Sequence, residues 1–330
     1  MIRNLNSDIY NKRFTGTCSD SFKSFSLVQW LFKNKWTIVT LILIIGPVSF
    51  AGIYLSRDND IESVEMAVVA KQPVVLYDGV AYQHDEESGW KTLDYAVNIK
   101  QVFTDEEYLC VLDVNGKPHC DELPDPYSLG MSGIAFYMAE QALAINEEEK
   151  FLLVNGHALD GVVALLSDGS LLYPVLDEHR STEIEEEVAM LSGSFLLTTY
   201  GNVHRVLIDD LGVLELEPVY DGGDITYIDA SDSASRCVGL TKDGKAMIWS
   251  DIASPDISDW NDLVKVVHGF NYVAGLTSKG KVVFKHYDEA KSPVLEASFE
   301  AWKDIYGIEA YFSSVYGVDK NGEVFVIDFS

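Results

Sequence analysis

The sequence predicts an all-β domain, a seven-bladed β-propeller, preceded by one transmembrane helix. Two observations lead to this fold class: an uncharged apolar stretch near the N-terminus, and a glycine-centred hairpin pattern that recurs about every 40 residues. The composition is strongly acidic, since 24 Lys and Arg face 52 Asp and Glu among 330 residues, for a net charge of −28. Such an excess of acid repels a phosphate backbone, so we expect no nucleic-acid partner.

Residues 36–55 contain no charged side chain. At about 1.5 Å per residue they can cross a hydrocarbon layer of about 30 Å. Residues 1–35 carry six basic and two acidic side chains, and positive charge favours the cytoplasmic side of a membrane. The sequence therefore predicts a cytoplasmic tail over 1–35, a membrane-spanning helix over 36–55, a linker over 56–61 and an extracytoplasmic domain over 62–330.

A cleaved signal peptide is the alternative interpretation of the same stretch. Pro47 followed by Ser49–Ala51 is similar to a small-x-small processing site, which predicts secretion after cleavage near Ala51. The charged leader is longer than the usual signal of about 15–30 residues, and apolar residues continue to Leu55. Both features favour a retained anchor.

Turn-forming glycines mark the repeat. In each copy the residue four positions earlier is apolar, and the glycine fits a hairpin loop that needs φ > 0. Four copies also carry an earlier apolar pair, as in Asp224-Ile-Thr-Tyr-Ile228, with room for another strand. Three or four short strands per repeat are typical of a propeller blade. The seven turn glycines are Gly79, Gly116, Gly169, Gly201, Gly244, Gly280 and Gly322.

Seven turns predict seven blades, but the rhythm is broken between Gly116 and Gly169. Residues 132–150 are rich in helix formers and fit an inserted amphipathic helix, or equally another hairpin. In the second case the propeller would have eight blades.

The pattern Asp-Ile-x-x-Ile followed by Gly-Leu-Thr-x-Asp-Gly-Lys-Val resembles the regulator-of-chromosome-condensation repeat. The resemblance covers most of residues 62–327 and is strongest over 224–327. It implies a seven-bladed β-propeller used mainly as a protein-binding platform, and the short-repeat bacterial members look like secreted binding or inhibitory proteins. The Gly-Gln-Leu-Gly element of the longer pattern is absent, which argues against a chromatin or nucleotide-exchange role.

Cys110 and Cys120 flank the turn at Gly116. A three-residue loop over 114–116 sets Asp113 opposite Lys117 and Cys110 opposite Cys120, so a disulfide is feasible in an extracytoplasmic compartment. Two reduced thiols are the alternative. Cys237 is expected to be a buried small hydrophobe.

A binding face is predicted from aromatic residues at loop ends and from an acidic run. The candidates are Phe270, Tyr272, Phe312, Glu185, Glu186 and Glu187. The aromatic residues would be contact anchors for a protein, and the acidic groups would steer a basic partner. Core packing and solvated turns are the simpler alternatives for the two groups.

No catalytic, cofactor-binding or metal-binding motif occurs in the sequence. We therefore expect a non-catalytic, membrane-anchored protein-binding module without a cofactor. One alternative is a propeller hydrolase or lyase acting on envelope polysaccharide or peptide, which would place two carboxylates, or a histidine and a carboxylate, at one mouth of the channel. Another is a structural subunit of an envelope assembly.

Overall fold

A computed structural model describes residues 64–93, 98–105, 108–120, 151–154, 164–175, 178–209, 211–230 and 235–329. These residues form seven small antiparallel sheets of three or four strands each, and in every sheet the strands follow chain order. The predicted membrane span at 36–55 and the ambiguous segment 132–150 lie outside the described residues.

The first three sheets are β1 (Glu65–Val69), β2 (Gln72–Tyr77), β3 (Val80–Asp85) and β4 (Gly89–Thr92); β5 (Ile99–Asp105), β6 (Tyr108–Asp113) and β7 (Pro118–Cys120); and β8 (Phe151–Val154), β9 (Ala164–Leu166), β10 (Ser170–Val175) and β11 (Glu178–Glu183). The last four are β12 (Val188–Ser192), β13 (Phe195–Thr198), β14 (Val203–Ile208) and β15 (Leu214–Tyr220); β16 (Ile225–Ala230), β17 (Arg236–Thr241) and β18 (Ala246–Ser250); β19 (Leu263–His268), β20 (Tyr272–Thr277) and β21 (Val282–His286); and β22 (Ile305–Tyr311), β23 (Ser314–Asp319) and β24 (Val324–Asp328). A short helix, α1 (Ser292–Ser298), and a 3₁₀ turn (Phe299–Ala301) precede β22.

All seven predicted turn glycines have left-handed φ angles, between 72° and 88°. In six of them the glycine N–H donates to the carbonyl three residues earlier, as Gly244 does to Thr241 at 3.0 Å. Gly79 is different, because Asp78 and Gly79 form a two-residue turn between Tyr77 and Val80 with both φ angles positive. The predicted hairpins are confirmed, with this one change of turn type.

The Asp-Ile motif has a structural reason. Asn98, Asp262 and Asp304 stand just before the first strand of their sheets with φ angles of 56°, 61° and 54°. Asn and Asp adopt this left-handed conformation more readily than most residues. The carbonyl of Asp304 then accepts the N–H of Lys320, in the glycine turn of the same sheet, at 3.1 Å.

The glycine turns also join neighbouring sheets. The carbonyl of Gly244 accepts the N–H of Leu263, the first residue of the next sheet, at 2.9 Å, and Gly280 binds Ile305 in the same way at 3.1 Å. Equivalent bonds run from Gly79 to Ile99, from Gly116 to Phe151 and from Gly201 to Ile225. The first strands of these sheets therefore all begin beside the glycine turns. We call this the turn end of the domain, and we call the opposite end, where the first strands finish, the loop end.

The last sheet meets the first. Val64 donates to the carbonyl of Tyr306 at 2.9 Å, and the indole N–H of Trp90 donates to Gly322 at 2.9 Å. A Cβ on Gly307 would lie 2.6 Å from Sδ of Met66, so the two first strands approach closely. Small antiparallel sheets arranged in series and closed on themselves are the architecture of a β-propeller.

The core lies between adjacent sheets, and glycines in second strands make room for indole rings. A Cβ on Gly317 would lie 2.5 Å from the ring of Trp302, and one on Gly239 would lie 2.5 Å from the ring of Trp249. One cluster of buried residues joins the last two sheets through aromatic side chains, including Tyr272, Phe284 and Trp302. Most side chains on the sheet faces therefore pack in the core, so the candidate functional groups are those at the ends of the strands.

Candidate functional site

Two exposed aromatic side chains stand together at the loop end. Phe270 follows β19 and Phe312 follows β22, and they are 52% and 40% exposed. The N–H of Phe270 donates to the carbonyl of Phe312 at 3.1 Å, so the two loops are joined through the backbone. The ring of Tyr311 packs edge-on against Phe312 with centroids 4.8 Å apart. We call Phe270 and Phe312 the aromatic pair.

A buried cation lies behind the aromatic pair. The guanidinium carbon of Arg236, at the start of β17, is 6.0 Å from the centre of the Phe270 ring and 5.0 Å from that of Tyr287. Arg236 is only 6% exposed. A guanidinium at this distance from an aromatic face is attracted by the ring electrons, which helps to hold Phe270 in place.

A small cavity opens beside Phe312. Asp229, His268 and Glu309 line it, together with backbone and small side chains of Ala230, Gly269 and Ala310. These groups come from the ends of β16, β19 and β22, which belong to three consecutive sheets. The cavity measures about 10 Å³, which is room for about one water molecule.

Both ring nitrogens of His268 are engaged. Nδ1 lies 2.7 Å from the carbonyl of Gly269, and because a carbonyl only accepts, Nδ1 carries the proton. Nε2 lies 2.9 Å from the hydroxyl of Tyr287 and accepts its proton when the ring is neutral. Burial lowers the pKa of His268 to about 4, the bond to Gly269 opposes this, and the charge of Arg236 adds to it. The ring is therefore neutral at pH 7.

Lys265 is the centre of a buried charged cluster. Its Nζ lies 4.0 Å from Oε2 of Glu309 and 4.2 Å from the centre of the Tyr227 ring. Burial disfavours the charged form, but the combined attraction of Tyr227, Glu309 and Asp229 is greater and raises the pKa of Lys265. Lys265 therefore stays protonated at neutral pH.

Three carboxyl groups surround this one ammonium group. Burial raises the pKa of Glu309 to about 8, against the attraction of Lys265, and the negative charges of Asp229 and Glu65 raise it further. Burial also raises the pKa of Glu65, whose Oε1 accepts the N–H of Val102 at 3.2 Å. Asp229 accepts the N–H of His268 at 2.7 Å through Oδ2. The cluster thus joins the first sheet to the last three.

The arrangement bears on the enzyme alternative. It does bring a histidine and two carboxyl groups together at one end of the strands, as that alternative requires. However, the cavity has no room for a sugar ring or a peptide, and His268 spends both nitrogens on internal bonds. In this conformation the histidine and the carboxyl groups are engaged with neighbouring groups of the protein.

Four predicted members of the binding face, Tyr272 and the run Glu185 to Glu187, lie away from the aromatic pair or in the core. Tyr272 is 1% exposed, stacks on Phe284 and donates its hydroxyl proton to the carbonyl of Ser314, so it is a core residue. Residues 185–187 precede the start of β12, where the carbonyl of Glu187 accepts the N–H of Thr199 beside the glycine turn. They lie at the turn end, a strand length of about 20 Å from the aromatic pair, so they do not form one patch with it.

The predicted hairpin around Gly116 is present. The N–H of Asp113 donates to the carbonyl of Lys117 at 3.0 Å, and Cys110 pairs directly opposite Cys120 in the backbone register. Cys110 is disulfide-bonded. Cys237 is a buried free cysteine, as expected.

Sequence reasoning missed Asp229, Lys265 and Glu309. The available signal was a charged residue inside an apolar first strand. Lys265 is the third residue of β19, and Asp229 and Glu309 are the fifth residues of β16 and β22. Within the described ranges, no group of three or more His, Cys, Asp or Glu residues could hold a metal ion. The same part of the chain contains no helix long and apolar enough to span a membrane.

No protein-family model matches the sequence, and no curated protein matches it. Several solved structures are similar in fold at low identity. PorZ, a surface component of the type-IX secretion system of Porphyromonas gingivalis, aligns with 82% of this chain at 15% identity and a TM-score of 0.38, and this chain spans only 37% of its length. Yeast RCC1 (Prp20), solved bound to Kap60, aligns with 81% of the chain and 70% of its own at 14% identity and a TM-score of 0.42. The β-propeller domain of Cps50 (Swd1) from Myceliophteria thermophila aligns with 82% of the chain and 97% of its own at 12% identity and a TM-score of 0.46.

Proposed function

We propose that this chain is a membrane-anchored, extracytoplasmic protein-binding module that recognises a basic partner through its loop end. The observation that carries the proposal is the aromatic pair, Phe270 and Phe312, two large apolar side chains left exposed on joined loops. Exposed aromatic residues held on a rigid scaffold are typical anchors of protein interfaces.

The charge of the loop end supports a basic partner. Exposed carboxylates lie at the same end of the strands: Asp251, which follows β18 and pairs with Arg205, Asp328 at the end of β24, whose Oδ1 accepts a bond from Ser313, and Glu86 in the turn after β3. The chain as a whole carries a net charge of −28. An acidic rim around apolar anchors steers basic partners and makes their association rate depend on salt.

Site-specific photo-crosslinking of the full-length chain in its own membranes tests the proposal. A photoreactive side chain replaces Phe312 in one variant and Tyr200 in the control, because Tyr200 is an even more exposed aromatic residue, at 65%, but lies at the turn end. We expect one defined protein crosslinked from position 312 through a basic segment, weakened at high salt, and absent from position 200. Equal labelling from both positions would refute recognition by the loop end.

The proposed membrane location and orientation rest on the apolar residues 36–55 and on the net positive charge of residues 1–35. Cysteine labelling of intact cells tests both. Cys18 should react with a membrane-impermeant maleimide only after permeabilisation, whereas a Tyr200→Cys variant should react in intact cells. Labelling of Cys18 in intact cells would contradict an N-inside anchor, and loss of residues 1–51 from the mature chain would establish the cleaved form.

We also propose a seven-bladed propeller. Seven sheets occur among the described residues, five of the six junctions between consecutive sheets carry the bond from the glycine turn, and the last sheet contacts the first. A crystal structure of the domain counts the blades directly, and an eighth sheet formed by residues 121–150 would overturn this number.

A further inference from the structure

A titratable group lies beside one member of the aromatic pair. Glu309, on β22, lies three residues before Phe312, which follows that strand, and both line the cavity at the loop end. The Glu309 side chain is 13% exposed, and its Oε1 accepts the N–H of Ala310 at 3.1 Å. A change in the charge of Glu309 is therefore felt by the loop that presents Phe312.

The second loop is connected to the same charge. Asp229, across the cavity, binds the N–H of His268 through Oδ2 at 2.7 Å, and the chain continues from His268 through Gly269 to Phe270. The N–H of Phe270 in turn donates to the carbonyl of Phe312. Glu309 and Asp229 thus each support one of the two loops, and repulsion between them acts on the bond that joins the loops.

The charges that face Glu309 come from every sheet packed around it. Glu65 approaches from β1, Tyr227 and Asp229 from β16, and Lys265 from β19. Two further groups complete the surroundings: neutral His268 lines the cavity, and the cation Arg236 acts on His268. Three carboxylates around one ammonium group leave an excess of buried negative charge, which favours a proton on one of them.

We propose that Glu309 is a proton-operated switch beneath the binding face. With a proton on Glu309, the loops of Phe270 and Phe312 are held together and present the aromatic pair to a partner. Without it, a second buried negative charge faces Asp229, and the loops separate more readily. This inference rests on the proposed binding function, and it predicts that recognition is stronger at acidic pH.

The position of the switch on the pH scale follows from burial. When the loops are closed, Glu309 is buried and its pKa is raised to about 8. When they open, Glu309 is solvated and takes its ordinary pKa of about 4.3, so opening at neutral pH releases a proton. By linkage, the opening equilibrium rises up to about tenfold per pH unit below pH ~8 and is constant above it.

Hydrogen–deuterium exchange of the full-length chain tests the switch without any partner. The readout is protection of the segments 268–273 and 310–315, measured from pH 6.5, above the titration of His268, to pH 9 and corrected for the intrinsic exchange rate. We expect protection to fall up to about tenfold per unit and to level off near pH 8 in the native chain. Glu309→Gln, which copies the protonated form, should hold its protection constant, whereas Glu323→Gln, at the turn end of the same sheet, should behave as the native chain.

The switch would be overturned if protection in the native chain did not depend on pH, or if protection in Glu309→Gln fell with pH as steeply as in the native chain. If Glu309→Gln does not fold, the infrared band of a protonated carboxyl in the native chain gives the answer, since it must disappear over the same pH range. The two proposals fail separately. If a partner is crosslinked but exchange does not depend on pH, the switch is refuted and the binding function stands. If exchange depends on pH as expected but no partner is crosslinked, the binding function is refuted and the proton-dependent opening of the loops stands.

Discussion

The two ends of the propeller strands are built on different principles. At the turn end, the same backbone bond recurs from sheet to sheet, with Gly201, Gly244 and Gly280 each accepting the first N–H of the following sheet. At the loop end, no such backbone bond repeats from sheet to sheet among the described residues, and the aromatic pair and the cavity beside it each occur once there. The repeat therefore specifies the scaffold at one end and leaves the other end free to vary.

Because the two ends are built differently, substitutions there should affect the protein in different ways. Bonds that recur at most junctions depend on backbone geometry and are sensitive to any side chain that blocks it. Side chains near the loop end are held by interactions between charged groups, and because these groups are buried, removing one charge costs much free energy. Substitutions at the two ends should therefore differ in mechanism as well as in size.

The largest expected effect is removal of the central cation. Lys265→Met leaves Glu309, Asp229 and Glu65 without their ammonium partner in a buried site, and breaking such a cluster costs about 3–5 kcal/mol. The measurement is denaturant unfolding of the full-length chain. Lys281→Met, an exposed lysine in the turn of the same sheet, is the control and should change stability by less than about 0.5 kcal/mol. Equal effects of the two variants would contradict a central role for Lys265.

The next effect is the acid response of His268. Its folded pKa, about 4, lies below the unfolded value of about 6.5, so its contribution is fully present above pH 6.5 and is lost as the pH falls towards 4. The loss reaches about 3 kcal/mol at ~1.4 kcal/mol per unit. His268→Gln should flatten the fall of the unfolding free energy with pH in this window. A flat slope in the native chain would show that His268 is not buried neutral.

The sequence predicted the turn end well because the residues of the repeat reflect local backbone requirements. Glycine at φ > 0 and Asp or Asn before the first strand are local requirements, and a single chain shows them several times over. The all-β class, the hairpins and the register of Cys110 opposite Cys120 follow from such local rules.

The loop end could not be predicted in the same way. Asp229, Lys265 and Glu309 are far apart in sequence and meet only because their strands are neighbours in the closed series of sheets. Tyr272 and Phe270 are both aromatic and two residues apart, yet Tyr272 begins β20, which is buried on both faces, and the loop exposes Phe270. The chain position of the acidic run at 185–187 gave no sign that it precedes a strand, and so lies at the other end.

A smaller effect separates two glycines of the turn end. Gly201 and Gly169 have φ angles of 83° and 88°, so alanine is strained at both, by about 1 kcal/mol. A Cβ on Gly201 would also lie 2.8 Å from the backbone carbon of Gly223, whereas nothing lies within 4 Å of one on Gly169. Gly201→Ala should therefore cost about 1–2 kcal/mol more than Gly169→Ala in thermal or denaturant unfolding. Equal costs would mean that the junction between the sheets adjusts freely.

The smallest effect on stability is expected where the effect on recognition is largest. Phe270→Ser removes a half-exposed ring whose described contacts are a bond through its backbone and a distant guanidinium, so the unfolding free energy should change by less than about 1 kcal/mol. Tyr272→Ser, two residues away, empties a core position and should cost about 3–5 kcal/mol. If Phe270→Ser were as damaging as Tyr272→Ser, Phe270 would be a structural residue. The exposed ring would then have a reason other than recognition, and the case for the loop end as a binding face would rest on Phe312 alone.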